Sequence, residues 1–282
     1  MTANDAQAEF WETLVPDWLA AEAASTTVAA PFGKAAMDRL PLQPGRRVLD
    51  IGCGSGPTTI ELASRVAPGG SALGVDIAPS MIDAARERAT AAGVDNATFA
   101  VADAQVEPFD PGAFDAVFSR FGIMFFADVT AAFANIRRAL APGGRLAFAC
   151  WQPIFDNEWM FLPGSAAVSV TGVLPPMPGP DEPGPFTLAD PERIRTVLTA
   201  AGFTDIDVTP CIDPVVLPAD RVDAFAQRSL RIGAVREAMR TADTETAARI
   251  AEAVRTTLHD KVVDGRLELA AAAHIVSAGL ST

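Results

Sequence analysis

Five short apolar runs alternate with longer stretches of helical period or composition between residues 47 and 150, and this alternation constrains the fold most. It is typical of a parallel sheet built from strand–helix–strand units. Because no repeat of about 20 to 50 residues appears, solenoids and propellers are excluded. The predicted strands are Arg47–Ile51, Ala72–Val75, Thr98–Val101, Ala116–Ser119 and Leu146–Cys150.

Length and charge narrow the class of protein further. With 282 residues the chain suits two domains, or one α/β domain with a cap. An apolar fraction of 49% and a charged fraction of 20% exclude a disordered or fibrous protein. A formal charge of -13 would repel a phosphate backbone, so we expect no nucleic-acid partner.

Three further features bear on compartment and membrane association. The cysteines lie far apart without metal-ligand spacing, which favours a reducing cytoplasm and predicts neither a metal site nor a disulfide framework. The start of the chain lacks the basic and apolar regions of a signal peptide. The most apolar stretch, residues 114–133, carries Asp115, Arg120 and Asp128, so no membrane span is expected.

Two helices have readable ends. Pro79 suits a first helical turn, and Gly93 suits a left-handed cap at the other end. Asp190 followed by Pro191 provides an N-cap and a proline at the first helical position, and Gly202 closes that helix.

Two regions interrupt the alternation. Residues 152–189 are rich in proline, so we expect a long irregular excursion there, of the kind that forms lids or binding elements. Two further helices are predicted over 219–263, the second with apolar residues spaced four apart from Ile250 to Val262. The run Ala271–Val276 is predicted to return as a last strand.

A glycine-rich loop follows the first predicted strand. Gly52, Gly54 and Gly56 let the backbone turn sharply, and helix-forming residues begin at Pro57. A helix N-terminus after such a turn offers free N–H groups to a ligand. The alternative is a tight turn without a ligand, which a glycine motif alone does not exclude.

Three acids stand at the ends of successive predicted strands: Asp50, Asp76 and Asp103. With strands about 4.8 Å apart, these ends span roughly 10 Å, the width of a nucleoside with a short substituent. The carboxylates match an ammonium group, a ribose diol and an exocyclic amine as donors. Each acid alone has the alternative of a solvated loop residue.

Two nucleoside cofactors compete for this arrangement. A dinucleotide would want Gly-x-Gly-x-x-Gly, but here the third glycine comes one residue early and Pro57 removes a donor N–H. A diphosphate beside Asp50 would be repelled, whereas the ammonium and sulfonium of S-adenosylmethionine would be attracted. The residues therefore favour S-adenosylmethionine over NAD.

Five segments in order resemble the motifs of class I S-adenosylmethionine-dependent methyltransferases, and in particular the UbiE-like small-molecule subgroup. The resemblance implies an α/β fold with a doubly wound, seven-stranded, mostly parallel sheet of order 3-2-1-4-5-7-6, strand 7 antiparallel, and an added helical and Pro-rich cap. It implies S-adenosylmethionine as cofactor and S-adenosylhomocysteine as product. The segments are Asp50–Gly56, Gly74–Met81, Ala102–Ala104, Phe114–Ser119 and Leu140–Leu146.

The resemblance also assigns cofactor-binding roles by motif. The cofactor-binding residues of the first motif are Asp50, Gly52, Cys53 and Gly54. The two glycines would line the methionine part of the cofactor, and Asp76 would hold the ribose.

For the other parts of the cofactor, Ser119 would lie near the methionine end. Ile77 and Met81 would flank the adenine, while Asp103 and the backbone of Ala104 would meet its amine.

Trp11 and Trp18 lie in an N-terminal segment that resembles a cofactor cover, with plain core packing as the alternative. The expected organisation is a helical cover at 1–40, a cofactor-binding core at 41–151, a Pro-rich lid at 152–189, a continuation of the core at 190–218, a helical cap at 219–263 and a final core strand at 264–282.

Methyl transfer is an in-line displacement at an activated carbon, so alignment matters more than a covalent nucleophile. A general base would help a hydroxyl or carbon-acid acceptor. The sequence has no Tyr, and its weak candidates are Asp156, Glu158, His259 and His274. The alternatives are a polar loop for the two acids, a solvated position for His259 and a satisfied core position for His274.

Apolar and aromatic side chains near the strand ends predict a substrate-pocket wall, although such clusters also form ordinary core. They are Phe121, Met124, Phe125, Trp151, Phe155 and Trp159. We therefore predict a cytoplasmic methyltransferase that acts on a small hydrophobic or aromatic acceptor. The alternatives are an NAD-dependent oxidoreductase and an S-adenosylmethionine-binding regulatory protein without turnover. Helices beyond the sheet are available to pair two chains as a homodimer.

Overall fold

The computed structural model describes residues 4–174, 179 and 182–280, without the side chains of residues 21–27. Its contacts divide the chain into two compact units. The first unit comprises Met1–Trp151, Pro180–Cys211 and Ala273–Thr282, and the second comprises Gln152–Gly179 and Ile212–Ala272. The second unit is thus inserted twice into the sequence of the first.

The first unit is built on a seven-stranded sheet of order β3-β2-β1-β4-β5-β10-β6. Its strands are β1 (Arg47–Ile51), β2 (Ser71–Asp76), β3 (Ala97–Val101), β4 (Phe114–Arg120), β5 (Leu140–Trp151), β6 (Thr204–Ile212) and β10 (Ala272–Gly279). The neighbouring pairs from β3 to β5 are parallel, whereas β10 runs antiparallel to β5. The predicted fold class and strand order are confirmed.

The middle of the sheet is buried on both faces, as the near-continuous apolar runs of its strands require. In β1 only Arg47 is exposed, and every residue of β10 is buried. Large core side chains such as Leu49, Phe118 and Phe148 come from adjacent strands and have almost no exposed surface.

Nine α-helices occur in the described residues. They are α1 (Asp5–Met37), α2 (Pro57–Arg65), α3 (Pro79–Ala92), α4 (Val129–Ala139), α5 (Glu158–Thr171), α6 (Pro191–Ala200), α7 (Val222–Ser229), α8 (Gly233–Thr241) and α9 (Thr244–His259). The predicted end of α3 and the predicted start of α6 are confirmed. Gly93 caps α3 in the left-handed conformation, and the Asp190 side chain accepts a hydrogen bond from the Glu192 N–H at the start of α6.

The second unit contains α5 and the helices α7 to α9, together with a small antiparallel sheet. That sheet has the order β7-β9-β8, formed by β7 (Val215–Pro218), β8 (Val262–Val263) and β9 (Arg266–Leu269). Helix α9 buries Ile250, Val254 and Leu258 along one face.

Several expectations for the capping segments are wrong. The excursion at 152–189 is not irregular throughout, because α5 occupies 158–171 and continues through Pro163. Six prolines of this segment follow residue 174, whereas α5 contains only Pro163. The proline content of the whole segment therefore concealed the helix. The region 219–263 holds three helices rather than two, and α9 ends before Val262.

The segments expected to continue the core are also divided differently. Strand β7 lies within the expected 190–218 core segment and β9 within 264–282, yet both belong to the sheet of the second unit. The densest prolines of the expected lid, at 175–178 and 180, lie outside the described residues. Across the described residues, no helix combines the length and hydropathy needed to cross a membrane.

Candidate functional site

The three acids lie at one edge of the sheet, where the carboxyl ends of β1, β2 and β3 meet. Asp50 is the fourth residue of β1 and pairs in register with Gly74, while Asp76 ends β2 and pairs with Val101. Asp103 follows β3 by two residues. In an open parallel sheet this edge is where ligands bind.

The glycine loop between β1 and α2 has three left-handed glycines, of which one faces open space. A Cβ on Gly52 would come within 2.8 Å of the Gly122 Cα, and a Cβ on Gly56 within 2.8 Å of the Phe99 ring. Gly54 has φ +54° and nothing within 4 Å of such a Cβ. Gly52 and Gly56 therefore serve close packing, and Gly54 leaves room for a ligand.

Asp50 is fully buried and only partly satisfied. The hydroxyls of Thr58 and Thr59, at the start of α2, both donate to its Oδ2 at 2.7 Å. Among the described residues, none donates to its Oδ1. Burial raises the pKa of Asp50 to about 6, although the two hydroxyls and the charge of Arg120 oppose that rise.

Asp76 joins the glycine loop to the start of α3. Its Oδ2 accepts from the Gly54 N–H at 2.9 Å, and its Oδ1 accepts from the Ala78 N–H at 3.0 Å. Burial raises the pKa of Asp76 in spite of these backbone donors. Each oxygen keeps acceptor capacity, which is what a ribose diol requires.

Asp103 is held by a residue that sequence reasoning missed. The carboxamide nitrogen of Asn4 lies 2.9 Å from Oδ1 and 3.0 Å from Oδ2 of Asp103, and the Gln105 N–H donates to Oδ1. Asn4 precedes Asp103 by 99 positions, so no local spacing pointed to it.

Helix α1 lies against the residues that the resemblance assigned to adenine. Trp11 packs on a buried cluster that contains Ala78 and Met81, and its ring meets that of Phe125 edge-on at 4.9 Å. Trp18 meets Trp11 edge-on at 5.8 Å and is 38% exposed. Trp11 is thus placed to cover this region, while Trp18 supports it from outside.

The remaining predicted cofactor residues lie at the same edge of the sheet, but most of their side chains are buried. The Ser119 hydroxyl is buried and donates to the Ile51 carbonyl at 2.8 Å, which joins β4 to β1. The Cys53 thiol is buried, and burial raises its pKa well above the ordinary value, so only its backbone is suited to a ligand. Ala104 is buried, and Ile77 is half-buried.

An aromatic cluster follows β4. Phe121 has φ +63° and stacks on Trp151 with ring centroids 3.8 Å apart and planes 10° apart. Phe32 of α1 meets both rings edge-on. Of the predicted substrate wall in this unit, Phe121 and Phe125 keep exposed surface. Met124 is 1% exposed and belongs to the core, so its predicted pocket position is not supported.

Two other predicted wall residues belong to the second unit. Phe155 is 74% exposed and lies 5.2 Å from the Phe161 ring. The Trp159 ring nitrogen donates to Asn157, a buried residue whose carboxamide also bonds both backbone groups of Ala272. Asn157 is therefore the structural centre of this segment.

Among the candidate bases, the second unit holds three. Asp156 is exposed in a short turn. Glu158 accepts a hydrogen bond from the Ala270 N–H and forms an ion pair with Lys261. The bond from Ala270 lowers the pKa of Glu158 most, and Lys261 lowers it further. His259 lies 2.8 Å from Asp223 on the surface.

His274 belongs to the first unit and is buried in β10. Its Nε2 lies 2.9 Å from the Ala189 carbonyl, which can only accept, so this nitrogen carries the hydrogen. Nε2 therefore cannot take a proton from a substrate. Over the described part of the chain, no group of His, Cys, Asp or Glu side chains is arranged to hold a metal ion.

The arrangement fits an adenosyl cofactor with an amino-acid tail better than a dinucleotide. Asp50 has a buried oxygen without a donor among the described residues and precedes the open Gly54 by four positions, an arrangement that suits an ammonium group and repels a diphosphate. Pro57 is the first residue of α2, so this helix start lacks one donor N–H.

Comparison with known proteins agrees with this assignment. A family model described as a methyltransferase domain matches residues 48–144. The chain is 36% identical over 171 residues to a demethylmenaquinone methyltransferase of Thermus thermophilus, covering 56% of this chain and 74% of that protein. It is 38% identical over 134 residues to the aklanonic acid methyltransferase DauC of a Streptomyces species, covering 47% of this chain and 60% of that protein.

Solved structures extend the likeness of fold to most of the chain. The YcgJ protein of Bacillus subtilis aligns with a TM-score of 0.59 at 17% identity, over 90% of this chain and 99% of that one. The fold and the site define an α/β protein built to bind a nucleoside cofactor, and the relative that is 36% identical and matched over 74% of its length is a methyltransferase. The chain belongs to the class I S-adenosylmethionine-dependent methyltransferases.

Proposed function

We propose that this protein transfers the methyl group of S-adenosylmethionine to a small hydrophobic or aromatic acceptor. The observation that carries the proposal is the set of three carboxylates at consecutive strand ends beside an open Gly54. In its family, the relatives described above are named for action on aklanonic acid and on demethylmenaquinone, both small organic molecules. We place the reaction in a reducing cytoplasm, in keeping with the buried thiols of Cys53 and Cys150.

Each carboxylate has a distinct partner in this proposal. The Oδ1 of Asp50 accepts from the ammonium group, and Asp76 accepts from the ribose hydroxyls while it holds the glycine loop through the Gly54 N–H. Asp103 accepts from the adenine amine. When bound, the cofactor supplies a methyl group on a sulfonium, which is already activated for displacement.

Alignment and exclusion of water are the contributions we assign to the protein. Ordering two reactants is worth effective molarities of about 10⁵ to 10⁸ M. Trp11 and Phe125 close the cofactor side, and the exposed edges of Phe121 and Phe125 offer an apolar surface to the acceptor. Because the Nε2 of His274 and both oxygens of Glu158 are already bonded, we propose a transfer that does not depend on either as a base.

The proposal is tested by isothermal titration calorimetry of the purified protein with S-adenosylmethionine, S-adenosylhomocysteine, NAD and NADP. We expect micromolar binding of the first two alone, followed by formation of S-adenosylhomocysteine with a panel of aromatic and quinone-like acceptors. Binding of NAD instead would overturn the cofactor assignment. Cofactor binding without turnover on the whole panel would indicate a regulatory protein, and turnover of short, fully polar acceptors alone would refute the acceptor class.

A further inference from the structure

Asn4 is a buried polar residue outside the sheet, and both polar atoms of its side chain are hydrogen-bonded. It is 2% exposed. Its Oδ1 accepts from the Ala127 N–H at 2.9 Å, and its Nδ2 faces both oxygens of Asp103 and the Oε1 of Gln105. One donor at the oxygen and three acceptors at the nitrogen fix the orientation of the carboxamide.

The hydrogen-bond network connects the start of α1 to the segment after β3 and to the segment before α4. Gln105, which is 7% exposed, uses its Oε1 to accept also from the Asp128 N–H before α4. The start of α1 is therefore bonded both to the segment after β3 and to the segment before α4. Glu12, two turns further along α1, accepts from the backbone N–H and the hydroxyl of Ser80 at the start of α3.

The acceptor capacity of Asp103 decides what this network does. A carboxylate has about four lone-pair directions. The Gln105 N–H donates to Oδ1. The two hydrogens of the Asn4 amide serve three acceptors, so one goes to the Oε1 of Gln105 and the other is shared between the two oxygens of Asp103. Oδ2 therefore keeps more acceptor capacity than Oδ1. Asp103 is also partly exposed, whereas Asn4 and Gln105 are buried.

We propose that Asn4 is a positioning residue for the cofactor: it fixes the Asp103 carboxylate so that the acceptor capacity left on Oδ2 meets the exocyclic amine of the adenine. This inference rests on the proposed function, because it requires an adenosyl group at this edge. In this proposal the start of α1 takes part in recognition of the base, in addition to covering the cofactor with apolar side chains. An unfixed carboxylate would rotate, accept water and lose discrimination between an amine and a carbonyl at that position of the base.

The test compares Kd values for S-adenosylhomocysteine and its 6-oxo analogue, in which a carbonyl replaces the amine. For the wild type we expect the amine form to bind at least about tenfold more tightly. Asn4→Ala is expected to weaken S-adenosylhomocysteine about 5- to 20-fold and the 6-oxo form less than about twofold, so that the preference largely disappears. This ratio is independent of the folded fraction, because both ligands bind the same folded protein.

Two further variants sharpen the result. Asn4→Asp keeps the size and the helix-starting preference of Asn4 but removes both N–H donors and sets two carboxylates together, so it should lose at least as much preference as Asn4→Ala. Asn96→Ala is the matched control, because it removes another carboxamide that bridges two carbonyls, those of Ala63 and Gly70, away from the site. It should keep the wild-type ratio.

Equal weakening of both ligands by Asn4→Ala would overturn the proposal and leave Asn4 a structural role alone. Tighter binding of S-adenosylhomocysteine to Asn4→Ala would also overturn it, since Asn4 would then be a competitor of the base. A wild type that binds neither ligand refutes the proposed function itself, which is a different outcome from either of these.

Discussion

Asp50 gives the sharpest prediction, because the fold buries its carboxylate completely and leaves one oxygen without a donor among the described residues. Burial raises the pKa of Asp50 from 3.8 to about 6, so the folded protein holds a proton that the unfolded chain releases in this window. The contribution of Asp50 to the free energy of unfolding therefore falls as the pH rises through the window and stays low above it. A shift of about two pKa units corresponds to about 3 kcal/mol.

Asp50→Asn isolates this contribution. Asparagine keeps one oxygen to accept from the hydroxyls of Thr58 and Thr59, but it does not titrate. Relative to this variant, the wild type should lose about 3 kcal/mol of unfolding free energy between about pH 4 and pH 7, measured by urea denaturation at closely spaced pH values. Other acids titrate equally in both proteins, so they cancel in the difference. A difference that is flat with pH, or that grows in favour of the wild type, would refute the reasoning.

The same carboxyl links cofactor affinity to pH. If the Oδ1 of Asp50 accepts from an ammonium group, the ligand favours the ionised carboxylate and lowers its pKa. The affinity for S-adenosylhomocysteine should then rise with pH by up to about tenfold per unit below pH 6 and level off above it. Calorimetry should find this rise in the wild type and its loss in Asp50→Asn. A wild-type affinity that is constant between about pH 5 and pH 7 would separate Asp50 from the cofactor.

Four other substitutions test the site and its support. Asp76→Ala should weaken cofactor binding by about 1.5–3 kcal/mol through lost ribose acceptors, and unchanged affinity in calorimetry would contradict that role. Gly56→Ala should cost about 2–4 kcal/mol of stability, since its Cβ would meet Phe99 and Ala85 within 2.9 Å, whereas Gly54→Ala should cost only about 1–2 kcal/mol yet weaken cofactor binding. Equal melting temperatures of the two alanine variants would show that the packing argument is mistaken. Asn157→Ala should destabilise the protein by about 1–3 kcal/mol, because it leaves the buried N–H of Ala272 unpaired, while the Ala272 carbonyl keeps its bond from the Gln152 N–H; a loss below about 0.5 kcal/mol in urea denaturation would contradict the structural role.

Local signals predicted the sheet and most of its ligand-facing edge. Strands β1 to β5 and β10 contain apolar runs, and the ends of β1, β2 and β3 carry Asp50, Asp76 and Asp103 at spacings that a parallel sheet brings together. Strand β6 is largely polar and exposed, and no local signal predicted it. Cap residues such as Gly93 and Asp190 act within a few positions of their own helix, so their sequence context is sufficient.

Contacts between distant residues could not be predicted in this way. The bond from Asn4 to Asp103 depends on where a helix of 33 residues comes to lie, which no local pattern encodes. The small sheet of the second unit has strands of two and four residues, too short for an alternating pattern to stand out. Helix α5 was obscured by Pro163 within it and by the prolines that follow it.

One departure from ordinary backbone geometry and one from ordinary burial lie at the carboxyl ends of the neighbouring strands β4 and β1, which supports the site independently of its motifs. Phe121 adopts φ +63°, a conformation that costs a residue with a Cβ about 1–2 kcal/mol. Its N–H bond to the Ala149 carbonyl and its stack on Trp151 hold it there. The turn brings Gly122 so close to Gly52 that a Cβ on either would clash.

On the neighbouring strand β1, Asp50 is a buried acid without a full set of donors among the described residues. Strain and unsatisfied charge persist in folded proteins where the surrounding structure over-determines them, and they cluster where ligands bind. An unstrained turn at 121 and an apolar residue at 50 would serve stability better. Their absence at the junction of β1 and β4 is what we expect if this edge was shaped by a ligand rather than by the core.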